Sequence, residues 1–156
     1  REHMTFPNGA HVVEVEIDRD TGRVSLARYT AVDDYGVLVN PMIAAGQAHG
    51  AMAQGVGQAL LEHAAYDPRS GQLIAGSFMD YALPRADDLA SFDLGFNGTP
   101  CTTNPLGVKG CGEAGAIAAF PAIANAILDA LAPLGVKGFD GPASPARIWQ
   151  AMADAR

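Results

Sequence analysis

Cysteine is scarce in this chain, with only Cys101 and Cys111 among 156 residues. The two thiols form no CxxC pair and no framework of bridges. That excludes a disulfide-stapled scaffold and a cysteine-held iron-sulfur cluster, and a reducing compartment such as the cytoplasm is expected. Basic residues are also few. Ten Lys and Arg against seventeen Asp and Glu leave a net charge of −7. Without a basic cluster nothing can track a phosphate backbone, so nucleic acid is not expected as a partner. Long apolar runs are missing as well, and no membrane span is expected. Arg1 to Ala10 carries no signal-peptide pattern. What remains is a globular composition, 49% hydrophobic and 17% charged, in a length that suits a single domain over 1–156. The first residue is Arg1 rather than methionine, which predicts a segment of something longer.

The N-terminal part reads as a β-hairpin. Val13, Val15 and Ile17 alternate with Glu14, Glu16 and Asp18, the period of a half-buried strand. DRDTG at Asp18 to Gly22 has turn chemistry, and a second strand follows over Arg23 to Val32 with Val24 and Leu26 on one face. Nothing reactive stands on this hairpin.

After Asp33, Asp34 and the turn at Asn40 and Pro41, a helical pattern runs from Met42 to Ala64. Gly46, Gly50, Gly55 and Gly57 lie inside it, each costing roughly 1 kcal/mol relative to alanine, so close packing is expected to compensate. Gln47, Gln54 and Gln58 fall in one stripe of the helix. Two readings are open. In one the glycines serve only a helix crossing, with glutamines in water; in the other the stripe is an amide surface that hydrogen-bonds a flat polar heterocycle. His49 and His63 have no metal-ligand partner at useful spacing and read as ordinary polar residues.

Between Tyr66 and Asn97 short apolar runs alternate with turns. Asp67 to Gly71 reads as a hairpin turn, Leu73 and Ile74 as the start of a short strand, Arg85 to Asp88 as a charged loop and Ser91 to Phe96 as another strand. An apolar helix is expected over Ala114 to Leu131, buried on much of its circumference and stopped by Pro133 and Gly135. A final helix starts at Ser144, with Pro145 in its first position, and reaches Ala153.

The most informative stretch is NPLGVKGCGEAG, Asn104 to Gly115. Gly107, Gly110, Gly112 and Gly115 allow positive φ and close approach of another group. The helix start beyond them has unpaired amides and a partial positive charge, which favours an ionised Glu113, the form in which it can act as a base. A glutamate serving only the helix dipole is the plainer reading. Gly110, Gly112 and Gly115 fit GxGxxG, but TPCTTNPLG is no first Rossmann strand and no ribose-binding acid follows. A phosphate-binding P-loop fails because Lys109 is followed by Gly110 rather than Ser or Thr.

NPMIAAGQAHGAMAQGVGQALLE at Asn40 to Glu62, SFMDYALP at Ser77 to Pro84, and NPLGVKGCGEAG followed by AFPAIANAILDAL occur in order. Together they resemble the C-terminal part of the molybdopterin-binding large subunit of the xanthine dehydrogenase, aldehyde oxidase and carbon monoxide dehydrogenase family. The likeness runs from Phe6 onward.

The resemblance implies a molybdenum hydroxylase that acts on an aldehyde or N-heterocycle with oxygen from water. Its cofactor would be molybdenum with molybdopterin, usually the cytosine dinucleotide form. Glu113 matches the family's active-site base. Gly46, Gln47, Ala48, Lys109, Gly110, Cys111 and Gly112 match residues that line the pterin or its phosphate side; Gln54 and Gln58 are weaker matches. No residue is implied as a direct metal ligand, because the pterin sulfurs hold the molybdenum. Cys111 then reads as a small packed thiol.

Iron-sulfur clusters and FAD would sit on partner subunits or domains, with the remainder of the large subunit as the first partner. The expected fold is α+β, a hairpin and short mixed sheet packed with two long helices. Two departures stand out. The cysteine of the carbon monoxide branch belongs to an earlier segment that this chain does not contain, and Gly141 stands where relatives carry a larger apolar residue. Lacking most of the substrate pocket, the chain is expected to be inactive alone. A truncated, non-catalytic interaction module with the same fold is the alternative.

Overall fold

Glutamates on one side and valines on the other decide how the first strand lies. In the computed structural model, which describes residues 4 to 155, strand β1 spans Asn8–Ile17 with Val13, Val15 and Ile17 half-buried and Glu14 and Glu16 exposed. Arg1, Glu2, His3 and Arg156 lie outside the described residues, and with them the chain start on which the expectation of a longer protein was based. Asp18 closes the turn by accepting the amides of Asp20 and Thr21. Gly22 takes a φ of 74° there, and a Cβ on it would run into the backbone of Pro145 and Trp149.

Strand β2 covers Val24–Asp34 and pairs antiparallel with β1. Its register slips between Glu14 and Val15, which pair with Arg28 and Leu26 and leave Ala27 unmatched. Such a bulge reverses which side faces inward. Val24 and Leu26 therefore point to the core before it, and Tyr29, Ala31 and Asp33 after it.

Helix α1, Pro41–Leu60, starts where Asn40 accepts the Ile43 amide at 3.1 Å and Pro41 fills the first position. It ends short of the expected Ala64, because the amides of Leu61 and Glu62 both fold back onto the Gly57 carbonyl. The expected strand at Leu73 and Ile74 reduces to one bridge, Tyr66 with Leu73, beside the predicted turn, where Gly71 donates to the Asp67 carbonyl. Arg85 to Asp88 holds a short 3-10 turn over Ala86–Asp88.

Strand β3, Phe92–Phe96, adds to β2 in parallel, Tyr29 opposite Phe92 and Asp33 opposite Phe96. The sheet order is β1-β2-β3, and the parallel pair is possible because α1 and the following loops supply the crossover.

Helix α2 occupies the predicted Ala114–Leu131 and α3 Pro145–Asp154. Helix α2 packs on α1 and β1. Its buried residues form one stripe, Gly115, Ala119, Ile123, Ile127 and Leu131, so burial around much of its circumference is not observed: Ile117 is 72% exposed. Residues Ala114–Leu134, with mean hydropathy 1.7, are long and apolar enough to cross a bilayer by length and composition. That corrects the expectation from sequence, which undercounted a run built largely of alanine; in this fold the helix packs as a core element. The architecture is α+β, as expected, with Tyr29, Tyr35, Met52, Val56, Ile123, Ile127 and Ile148 in a common core.

Candidate functional site

Close backbone approach sets the geometry where α1 crosses α2. A Cβ on Gly55 would stand 2.5 Å from the Ala119 Cβ, and a Cβ on Gly57 would strike Pro84 and Glu62. Those two glycines satisfy the packing reading. Gly46 and Gly50 do not: a Cβ on either meets nothing within 4 Å. They lie on an open side of α1, and helix packing within this chain does not require them.

The glycine loop corrects one expectation. Of its four glycines only Gly107 has a positive φ, 66°. Gly115 is needed for proximity instead, because it faces the Ala48 carbonyl. Gly110 and Gly112 are exposed, and a Cβ on Gly110 has open space.

Glu113 occupies the N-cap of α2 with φ −107° and ψ −15°, and its side chain makes no capping bond. Its carbonyl takes the amides of Ala116 and Ile117. Its carboxylate is thus not spent on the helix start. It borders a groove of about 500 Å³ together with Gln54, Gln58, Glu62, Tyr81, Ala116 and Ile117. Gln47 lies at the near end of the same stripe, its Oε1 4.0 Å from where a Gly112 Cβ would be. The structure therefore brings Gln47, Gln54 and Gln58 to one side with Gly112 and Glu113.

Other predicted residues lie elsewhere. The Ala48 side chain is fully buried in the core. The Lys109 ammonium turns inward to Asp34 Oδ2 at 2.7 Å, and its amide donates to the Tyr35 carbonyl at 2.9 Å. Gly110 donates its amide to Thr5 Oγ1. Cys111 is a free, half-buried thiol packed against the core beside Tyr35, Val37 and Ile43. Among the described residues no backbone bond engages the amides of Cys111, Gly112 or Glu113.

Sequence reasoning missed Glu62 and Tyr81, whose 2.7 Å hydrogen bond edges the groove, and it missed Asp34. The Glu62–Tyr81 contact has no local signature. The Asp33–Asp34 pair was visible as two acids ending a strand, a signal that deserved a partner.

The comparisons decide the family. A family profile described as "Molybdopterin cofactor-binding domain" matches residues 1–90. This chain belongs to that family. The chain is 41% identical over 146 residues to the nicotine 6-hydroxylase large subunit of Paenarthrobacter nicotinovorans, covering 94% of this chain and 18% of that protein. It is 34% identical over 152 residues to the carbon monoxide dehydrogenase large chain of Hydrogenophaga pseudoflava, covering 97% and 19%. A crystal structure of the Cu,Mo-CO dehydrogenase superposes with a TM-score of 0.92 at 34% identity over 96% of this chain and 19% of that one. The molybdopterin-domain chain thus spans about a fifth of the length of the relatives it matches. The profile covers Asn40 to Glu62 and stops before Asn104 to Gly115.

Proposed function

We propose that this chain supplies one side of the cofactor cradle of a molybdenum hydroxylase, with Glu113 as the base in the water-derived hydroxylation of an aldehyde or N-heterocycle. The carrying observation is that Glu113, uncommitted to its helix cap, shares one side of the α1–α2 crossing with Gln47 and Gly112.

The residues fit a flat, polar, phosphate-bearing pterin. Gly46 and Gly110 expose backbone with open space above them, so a planar group can approach without meeting a side chain. Gln47 offers both a donor and an acceptor. The amides of Cys111 and Gly112 are donors of the kind that bind phosphate or pterin oxygens. Lys109 serves this surface from behind, by holding the loop, and Ala48 by letting α2 come close. When bound, the molybdenum cofactor supplies a two-electron oxidant and a Lewis acid that makes water more acidic. Glu113 accepts the water proton at a carboxylate oxygen as attack on the substrate carbon proceeds. Gln54, Gln58 and Tyr81 hold that side of the groove polar.

On this reading 1–156 is one domain, the C-terminal segment of a molybdopterin-binding subunit in the cytoplasm. The cofactor is the cytosine dinucleotide form, and electrons leave through iron-sulfur and FAD partners. The test is molybdenum and pterin content of the protein assembled with its partners, by elemental analysis and fluorescence of the oxidised pterin. Near-stoichiometric values of both are expected. Their absence from a folded, assembled protein contradicts the proposal and favours an interaction module.

A further inference from the structure

Asp34 ends β2 with its carboxylate almost fully committed. Oδ1 accepts the amides of Gly36 at 2.8 Å and Thr99 at 3.0 Å. Oδ2 receives the Lys109 ammonium at 2.7 Å and a longer contact from Asn8 Nδ2 at 3.4 Å. The two charged side chains keep only 11% and 10% of their exposure. The bond from Lys109 and the amides of Gly36 and Thr99 hold the Asp34 carboxyl below the usual carboxylate range. Around this pair Gly36 bridges Val108, and the Lys109 amide donates to the Tyr35 carbonyl.

The loop from Lys109 to Glu113 is therefore anchored at both ends. Its entry is tied to the end of β2 by the Asp34–Lys109 pair, beside the backbone contacts of Val108 and Lys109. Its exit is fixed where Gly115 meets the Ala48 carbonyl. Between these points the one hydrogen bond among the described residues runs from Gly110 to Thr5, and the Cys111 side chain packs against the core. A carboxylate carried on so short a span goes where its two anchors put it.

We propose that Asp34 is a positioning residue that acts through Lys109 to set the 110–112 backbone and the place of the Glu113 carboxylate. The kinetic consequence rests on Glu113 being the base. The restraint on the loop does not, and it is read without turnover.

The test uses the assembled, cofactor-loaded enzyme with Asp34→Asn, and with Asp34→Asn combined with Lys109→Met. The double variant leaves no lone buried cation, so it separates loop release from the penalty of an unpaired charge. Peptide-resolved hydrogen exchange follows the hydrogen-bonded amides of Lys109 and Gly110, with amides 123–128 inside α2 as reference, and iodoacetamide reports the half-buried Cys111. In both variants, exchange at Lys109 and Gly110 and alkylation of Cys111 are expected to rise about tenfold or more while the α2 reference holds. Turnover per bound molybdenum is expected to fall on the order of a hundredfold with KM unchanged, as for a displaced reacting group. Unchanged exchange and alkylation in both variants overturn the proposal. An equal rise across 123–128 also overturns it, by making Asp34 a general stabiliser. Retained turnover in Glu113→Gln would remove the base and leave the exchange result standing.

Discussion

Gly115 in α2 lies directly against the Ala48 carbonyl in α1, so close that a Cβ at position 115 would stand 2.9 Å from that oxygen and 3.0 Å from the Ala51 Cβ. Backbone on one side and a helix on the other leave nothing flexible to give way. Gly115→Ala is expected to push the helices apart and destabilise the protein by about 1–3 kcal/mol, the usual range for overpacking. A thermal melt checks this, and an unchanged midpoint would mean that the crossing relaxes freely.

Gly46→Ala and Gly50→Ala should have the opposite sign. Neither Cβ meets an atom within 4 Å, so each substitution gains helix propensity of up to about 1 kcal/mol without strain. Under the proposed cradle Gly46→Ala also places a methyl on the side where the pterin approaches. A raised melting temperature of the cofactor-free protein together with reduced molybdenum content is expected. Full molybdenum content in a stabilised Gly46→Ala variant would remove Gly46 from the cradle.

Tyr29 and Tyr35 give the fold an alkaline limit. Burial, and then the nearby Asp33 charge, raises both phenols above their ordinary value. Tyr29 joins His11 at 2.7 Å, His11 meets Asp33 at 3.1 Å, and Tyr35 donates to Asp33 at 2.6 Å. Above about pH 10 the unfolded tyrosines release protons that the folded ones retain. The unfolded state then binds fewer protons, so stability falls as pH rises. The contribution is complete below that pH and is lost on the way to the folded pKa values. Melting temperatures across pH 8 to 11 should decline at the upper end, and Tyr29→Phe should flatten the decline.

Legibility followed the range of the interaction. The bounds of α2 could be read because Gly115, a run of Ala and Ile, and Pro133 are local signals. Asp34 and Lys109 are 75 residues apart, and no periodicity announces such a pair. The glycines of α1 looked alike in sequence, yet Gly55 faces Ala119 and Gly46 faces nothing, a difference set only by where α2 lies. The bulge at Ala27 likewise reverses the inward side of β2 without a glycine to mark it. At the site, the placing of Glu113 at a helix start was legible, whereas the groove it shares with Glu62 and Tyr81 depends on a loop returning to the end of α1.

The central claim is that the Glu113 carboxylate is the base. Glu113→Gln keeps the size of the side chain and removes its ability to take a proton, and the side chain makes no capping bond whose loss could confuse the result. The decisive measurement is kcat of this variant in the assembled enzyme, beside its molybdenum and pterin content. Wild-type cofactor content with turnover reduced by about a hundredfold or more is predicted, within the usual contribution of general-base catalysis. Wild-type turnover at full cofactor content would contradict the claim.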